Sequence, residues 1–289
     1  MASEGYIPFH PNPSVPTFLL PQGACDSHCH VFGPADTFPY SPKSSYIPVD
    51  APKELLAQRH RSFGVDRAVL VQASCHGSDN RAMLDALKTS GDTCRGIAIV
   101  DSSVTLRELE QMNELGVRGV RFNFVKRLKA RQPIEERMHI LDMVRQLPWH
   151  LVVYYEPADL PEIRDFLKQV PVPVVIDHMG CIPADRGVDS REFEDLADLL
   201  KDDRFWIKVS CPERFSLQGP PYLDMDEVSR SLISMVPQRV LWGTDWPHPN
   251  MKKEAPDDGL LIDRIPRVCP DEHTRKAMLI DNPTRLYWS

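Results

Sequence analysis

The sequence predicts an α/β chain folded as one (β/α)8 barrel, a TIM barrel, and three observations carry that prediction. Short apolar runs alternate with longer amphipathic segments, and the alternation repeats eight times. The chain has 289 residues, which suits one such barrel, since these domains run to roughly 250 residues. The first strand also lacks a G-x-G-x-x-G turn, so an open dinucleotide-binding sheet loses its main support.

Residues 1–22 are rich in proline and have no period, so they are expected to lie as an extended arm on a barrel spanning 23–289. Strand one is expected at 24–30, and strand two, AVLVQAS, at 68–74 after a helix over 52–63. Strands three to five follow at 96–100 (GIAIV), 117–124 (VRGVRFNF) and 151–156 (LVVYYE). Strands six to eight are expected at 172–178 (VPVVIDH), 205–210 (FWIKVS) and 239–245 (RVLWGTD). Between them, DNRAMLDALKTSG and SREFEDLADLLKDD space apolar residues by three and four, the pattern of a helix with one buried face. The tail, DEHTRKAMLIDNPTRLYWS, reads as one closing helix.

Composition narrows the function classes. Hydrophobic residues make up 42% and charged residues 26%, as in a globular enzyme. A formal charge of −7 argues against nucleic acid or an anionic membrane as the main partner and leaves a small molecule. Seven cysteines, scattered and without a C-x-x-C pair, suit reduced thiols. No leader pattern or membrane-length apolar run is visible, so a cytoplasmic location is expected.

The chemistry is expected at the C-terminal ends of the strands, where the loops of such barrels build their sites. Asp245 follows the eighth strand and aims an acid above the sheet. His28 and His30, two apart, leave one face of strand one, with Asp26 as a possible companion, and His178 closes strand six. Arg121 lies inside a strand, where a guanidinium needs a partner; with Arg127 and Arg214 it suits a substrate bearing more than one carboxylate. The bland alternative for the RFNFVKR segment, with Asn123 and Lys126, is a solvated basic face. Ser74, His76, Tyr46 and Tyr154 add hydroxyl and imidazole groups that count only as a set.

D-x-H-x-H at 26–30, IDH at 176–178 and GTDWPH at 243–248 resemble the amidohydrolase superfamily. DSHCHVFGP, VQASCHGSDN, RGVRFNFVKRL, PERFSLQGPP, WGTDWPHPN and NPTRLYW resemble in particular its 2-pyrone-4,6-dicarboxylate lactonase family, from about Gly23 to the end. The resemblance implies reversible hydrolysis of that cyclic ester to 4-carboxy-2-hydroxymuconate or 4-oxalomesaconate, in the breakdown of lignin-derived aromatic acids. It implies that Asp245 activates water while His28, His30 and His178 surround the lactone carbonyl. Arg121, Arg127, Arg214, Ser74, His76, Tyr46, Tyr154, His248 and Asn250 match positions that hold the carboxylates or line the pocket. No cofactor is expected, because strands four and five offer no lysine of the kind that bridges two metals. One zinc at His28, His30, His178 and Asp245 is the competing expectation. Two other functions fit the same residues: a zinc-dependent decarboxylase or lactonase acting on a related carboxylated substrate, and a non-catalytic dicarboxylate-binding barrel.

Overall fold

In a computed structural model, which describes residues 2–125, 132–251 and 253–289, the chain forms one eight-stranded parallel sheet in sequence order. The strands are β1 (Cys25–Cys29), β2 (Arg67–Val71), β3 (Cys94–Ala98) and β4 (Val117–Asn123), then β5 (His150–Tyr154), β6 (Val174–Ile176), β7 (Phe205–Val209) and β8 (Val240–Trp242). Cys25, Val69, Val71, Ile97, Val152, Val175, Trp206 and Leu241 fill the space inside the sheet. The other strand face packs on the surrounding helices, so each strand is buried on both sides and reads as a nearly continuous apolar run.

The helices form where the sequence supplies both an apolar stripe and a start signal. α1 (Lys53–Phe63) and α2 (Arg81–Ser90) cover the first strands. α3 (Leu106–Glu114) opens with a capping box: Glu108 N–H donates to Thr105 Oγ1 at 3.3 Å, and Thr105 N–H donates to Glu108 Oε2 at 2.8 Å. After α4 (Ile134–Val144) and α5 (Leu160–Gln169), α6 (Arg191–Leu200) buries Phe193, Leu196, Leu199 and Leu200. Its Ser190 cap is worth about 1 kcal/mol. α7 (Pro212–Phe215), α8 (Asp226–Met235) and α9 (Asp258–Val268) follow.

The tail departs from the single helix expected of it. It divides into α10 (Glu272–Lys276), a π-helical turn over 277–281 and α11 (Asn282–Tyr287). Pro283 has no N–H to continue an i→i−4 ladder, and the wider turn before it absorbs the break. Tyr287 then enters the apolar interior of the barrel.

The β8–β1 seam is closed by side chains as well as backbone. Asp245 N–H donates to the His28 carbonyl at 2.7 Å, and His30 N–H to the Trp246 carbonyl at 2.7 Å. A Cβ at Gly243 would stand 2.7 Å from the His28 backbone nitrogen, so only glycine lets the two chains approach this closely. Asp26 accepts from Thr244 N–H at 3.0 Å and Thr244 Oγ1 at 2.6 Å, and pairs with His60 of α1 at 3.2 Å. Asp26 therefore belongs to this seam and not to the reaction centre expected of it. The register between β1 and β2 shifts between Asp26 and Cys29, and that extra residue turns Asp26 away from the face it would otherwise share with His28.

Residues 2–22 lie against the barrel. Ser14 N–H donates to Asp257 and Thr17 to Asp263, while Tyr6 stacks on Tyr46 and Phe9 packs on Trp246. No described helix is long and apolar enough to cross a membrane.

Candidate active site

Every expected strand overran at its C-terminal end, by one residue at the first, fourth and seventh and by two or three at the others. The residues lost from the ladders include His30, Ser74, His178 and Asp245, which line the site. His178, Cys211 and Asp245, which follow β6, β7 and β8, all adopt positive φ, at 52°, 58° and 66°. Such a backbone is costly for a residue with a side chain and persists where packing imposes it, here at the mouth of the barrel.

Asp245 is 2% exposed and sits at the centre. Its Oδ1 faces three imidazoles: His30 Nε2 at 3.1 Å, His28 Nε2 at 3.4 Å and His178 Nε2 at 3.9 Å. Its Oδ2 is held by Arg214, with Nη2 at 2.6 Å and Nε at 3.2 Å. Burial opposes charge on this carboxyl, but Arg214, then His178 and His30, outweigh burial and hold its pKa well below the usual carboxylate range. Asp245 is an anion at neutral pH.

The imidazoles differ in what stands behind them. His30 Nδ1–H donates to the Val71 carbonyl at 2.6 Å, and its Nε2 meets Asp245 Oδ1 at 3.1 Å. His178 Nδ1 meets Ser210 Oγ at 2.9 Å and Cys211 Sγ at 3.0 Å. Burial pulls His178 down to about 4 and His28 well below its ordinary value, which leaves both rings neutral at pH 7.

A second carboxylate, Asp177, lies one layer below. Arg121 reaches its Oδ2 with Nη2 at 2.9 Å and Nε at 3.1 Å, and Lys208 Nζ stands 3.1 Å from its Oδ1. Lys208 Nζ is also 3.0 Å from His28 Nδ1. Burial opposes the Asp177 charge, but Lys208, His28 and Arg121 together hold its pKa well below normal. Neither Asp177 nor Lys208 was among the candidates read from sequence, although a lysine inside the apolar run FWIKVS was a visible signal: a buried ammonium demands a partner.

The cavity above Asp245 is lined by His30, His178, Arg121, Arg214, Ser74 and Tyr46, with Tyr154 and Asn250 at its sides. Tyr154 turns its ring edge to His178 and its face to the Arg121 guanidinium. Through Ser74, Arg121 and Asn123 the cavity joins a cleft of about 400 Å³.

Two candidates stand elsewhere. His76 accepts from Gly33 N–H at 3.2 Å and meets the Pro39 carbonyl at 3.2 Å, so it ties the 33–39 loop to β2 rather than lining the cavity. His248 points away, to Asp258 Oδ1 at 2.8 Å and Glu213 Oε1 at 3.5 Å. Burial would lower its pKa, but Asp258 and Glu213 raise it to about 10. The sequence could not separate these two from their neighbours, because only the packed loops decide where each ring points. Arg127 and Lys126 lie outside the described residues.

His28, His178 and Asp245 each offer one ligand atom, all within 4.8 Å of one another, and imidazole with carboxylate is a donor set that suits a single zinc ion. Two of these residues face cations of the protein itself through their other polar atom. Arg214 occupies Asp245 Oδ2, and Lys208 stands behind His28.

Eight parallel strands around a buried acid and three imidazoles define a barrel hydrolase scaffold. The chain belongs to the amidohydrolase family, whose sequence profile matches residues 25–288. Within that class two of its relatives are named as hydrolases. It is 48% identical to the 2-pyrone-4,6-dicarboxylate hydrolase of Comamonas testosteroni over 99% of this chain and 97% of the other. It is 37% identical to the 4-sulfomuconolactone hydrolase of Rhizobium radiobacter, over 94% and 92%. Among solved structures, a protein of Agrobacterium tumefaciens in its apo form superposes with a TM-score of 0.83 at 25% identity, over 95% and 98% of the two chains.

Proposed function

We propose that this protein hydrolyses the cyclic ester of 2-pyrone-4,6-dicarboxylate. The observation that carries the reading is the placement of Asp245: an ionised carboxylate in the cavity wall with one oxygen not held by arginine or lysine, beside a guanidinium suited to a substrate carboxylate. The Comamonas testosteroni relative, named for this reaction, supports the choice of substrate.

The site suggests the following sequence. Arg214 and Arg121 hold the substrate carboxylates by charge-assisted hydrogen bonds, with Ser74, Tyr46, Tyr154 and Asn250 completing the walls; Arg127 is kept as a third anchor. A water between Asp245 Oδ1 and the lactone carbonyl gives its proton to Asp245 while its oxygen bonds to the carbonyl carbon. The negative charge that develops on the carbonyl oxygen is met by imidazole N–H donors. The ring C–O bond then breaks, and the leaving group departs as a conjugated enolate, which needs less electrophilic help than an amide nitrogen. The proton taken up by Asp245 then passes to the departing enolate.

Arg214 gives this sequence an order. While it holds Asp245 Oδ2 it keeps the carboxylate weakly basic. A substrate carboxylate competes for the same guanidinium, and weakening the Arg214–Asp245 pair raises the basicity of Asp245 only once substrate is present. The reading takes the reaction as independent of metal. A zinc ion on His28, His178 and Asp245 would instead supply Lewis-acid help and an activated water, but Arg214, Arg121 and Lys208 already place positive charge around those ligands.

The test is to add 2-pyrone-4,6-dicarboxylate to protein freed of metal by chelation, checked by elemental analysis, and to follow the ultraviolet absorbance of the pyrone. Loss of that absorbance is expected. A silent mixture overturns the substrate. Carbon dioxide released from an intact ring overturns the reaction class, and activity that returns only with stoichiometric zinc overturns metal independence.

A further inference from the structure

Lys208 is wholly buried on β7, far from any solvent that would reward its charge. Such a side chain is expensive unless its three N–H bonds are used. Its Nζ reaches two groups: Asp177 Oδ1 at 3.1 Å and His28 Nδ1 at 3.0 Å. An ammonium has no lone pair, so in the second contact Lys208 donates and His28 Nδ1 accepts. A neutral imidazole that accepts at Nδ1 carries its proton at Nε2. That Nε2 is buried, has no hydrogen-bond partner among the described residues and lies 3.4 Å from Asp245 Oδ1, beside the reacting water's expected position. Asp177 Oδ1 also stands 3.1 Å from His28 Nδ1 and would draw a proton there, giving the opposite tautomer. That oxygen makes no hydrogen bond of good geometry, whereas the Lys208 contact does.

We propose that Lys208 is a positioning residue that fixes His28 as the Nε2–H tautomer, so that the buried ring presents a donor to Asp245 Oδ1. Asp177 balances the ammonium charge, and Lys208 in turn denies Asp177 the His28 proton. His30 Nδ1 meets the Val71 carbonyl instead, so two neighbouring imidazoles are held at Nδ1 by opposite partners, His28 by a donor and His30 by an acceptor. The catalytic half of this inference rests on the hydrolase reading above; the tautomer itself does not.

The experiment is ¹⁵N NMR of histidine-labelled full-length protein, with the His28 resonances assigned by their loss in His28→Gln. The wild type should show a bare, pyridine-type Nδ1 and a protonated, pyrrole-type Nε2 for His28. The tautomer is read on the wild-type protein, and a protonated Nδ1 overturns the proposal. In Lys208→Met the proton should move to Nδ1, facing Asp177, and kcat should fall by about tenfold or more with KM changed far less. Lys208→Arg, which keeps a donor, should retain the wild-type tautomer. Lys208→Met with unchanged His28 resonances overturns the positioning role. A tautomer that moves while kcat does not overturns the catalytic half, and because the resonances are read without substrate, failure of the pyrone assay leaves the tautomer result standing by itself.

Discussion

Two buried aspartates, Asp177 directly after β6 and Asp245 three residues after β8, are put to opposite uses. Each meets an arginine and a histidine, and each is held well below the usual carboxylate range. Around Asp177 both oxygens meet cations: Lys208 stands at Oδ1 and Arg121 at Oδ2, and Asp177 itself takes no part in the cavity wall. Around Asp245 only Oδ2 is taken up by an arginine or lysine; Oδ1 faces imidazoles, and the residue itself lines the cavity. A carboxylate becomes a base when one oxygen is left for a substrate or water; when both are neutralised from below, it becomes a counter-ion. Depressed pKa alone does not separate the two.

The sharpest way to break this comparison is Asp177→Asn. Removing one partner leaves Lys208 and Arg121 charged and buried, which should cost about 3–5 kcal/mol of stability. Chemical denaturation should show that loss as a lower midpoint. If stability is unchanged and only turnover suffers, Asp177 is part of the chemistry and the contrast collapses.

Asp245→Asn should do the reverse. Shape and most packing survive while the base is gone, so kcat should drop by a factor on the order of 10² or more. Dicarboxylate binding, followed by calorimetry, should persist. Turnover near the wild-type rate would remove Asp245 from the mechanism.

A smaller effect is expected from Arg214→Met. A dicarboxylate loses a charge-assisted pair, which should weaken it by roughly 2–4 kcal/mol, whereas a mono-acid lacking that carboxylate should notice much less. Equal losses for both ligands would mean that Arg214 only supports Asp245 and does not read substrate charge.

The smallest effect concerns the ring beyond Asp245. His248 has its pKa raised to about 10 by Asp258 and Glu213, against burial. A raised folded-state pKa stabilises fully below the unfolded value near 6.5 and is lost as pH climbs through the folded one. Tm should therefore fall between pH 7 and pH 10 toward that of His248→Gln, by something on the order of 5 °C. The depressed carboxylates work in the other direction: they stabilise above their unfolded values and lose that contribution only in acid. Parallel wild-type and His248→Gln curves across the alkaline range would show that His248 carries no charge there.

Local pattern alone placed the eight strands, and it placed His28, His30, His178 and Asp245 at their ends, because apolar runs and the punctuating Gly and Pro act within a few residues. The alternation and length of the chain also carried the barrel. Other matters were settled by groups far apart in sequence. Asp26 leaves the site because a register shift against β2 turns it toward His60 and Thr244. His76 and His248 match the family motif as well as any pocket residue, yet packed loops aim them elsewhere. Lys208 and Asp177 meet His28 across 180 and 149 positions, and a strand buried on both faces gives no sequence sign of which parity looks inward. Which imidazole donates, which accepts, and which aspartate keeps a free oxygen are properties of that closed interior, where each proton's place depends on the partner the barrel puts beside it.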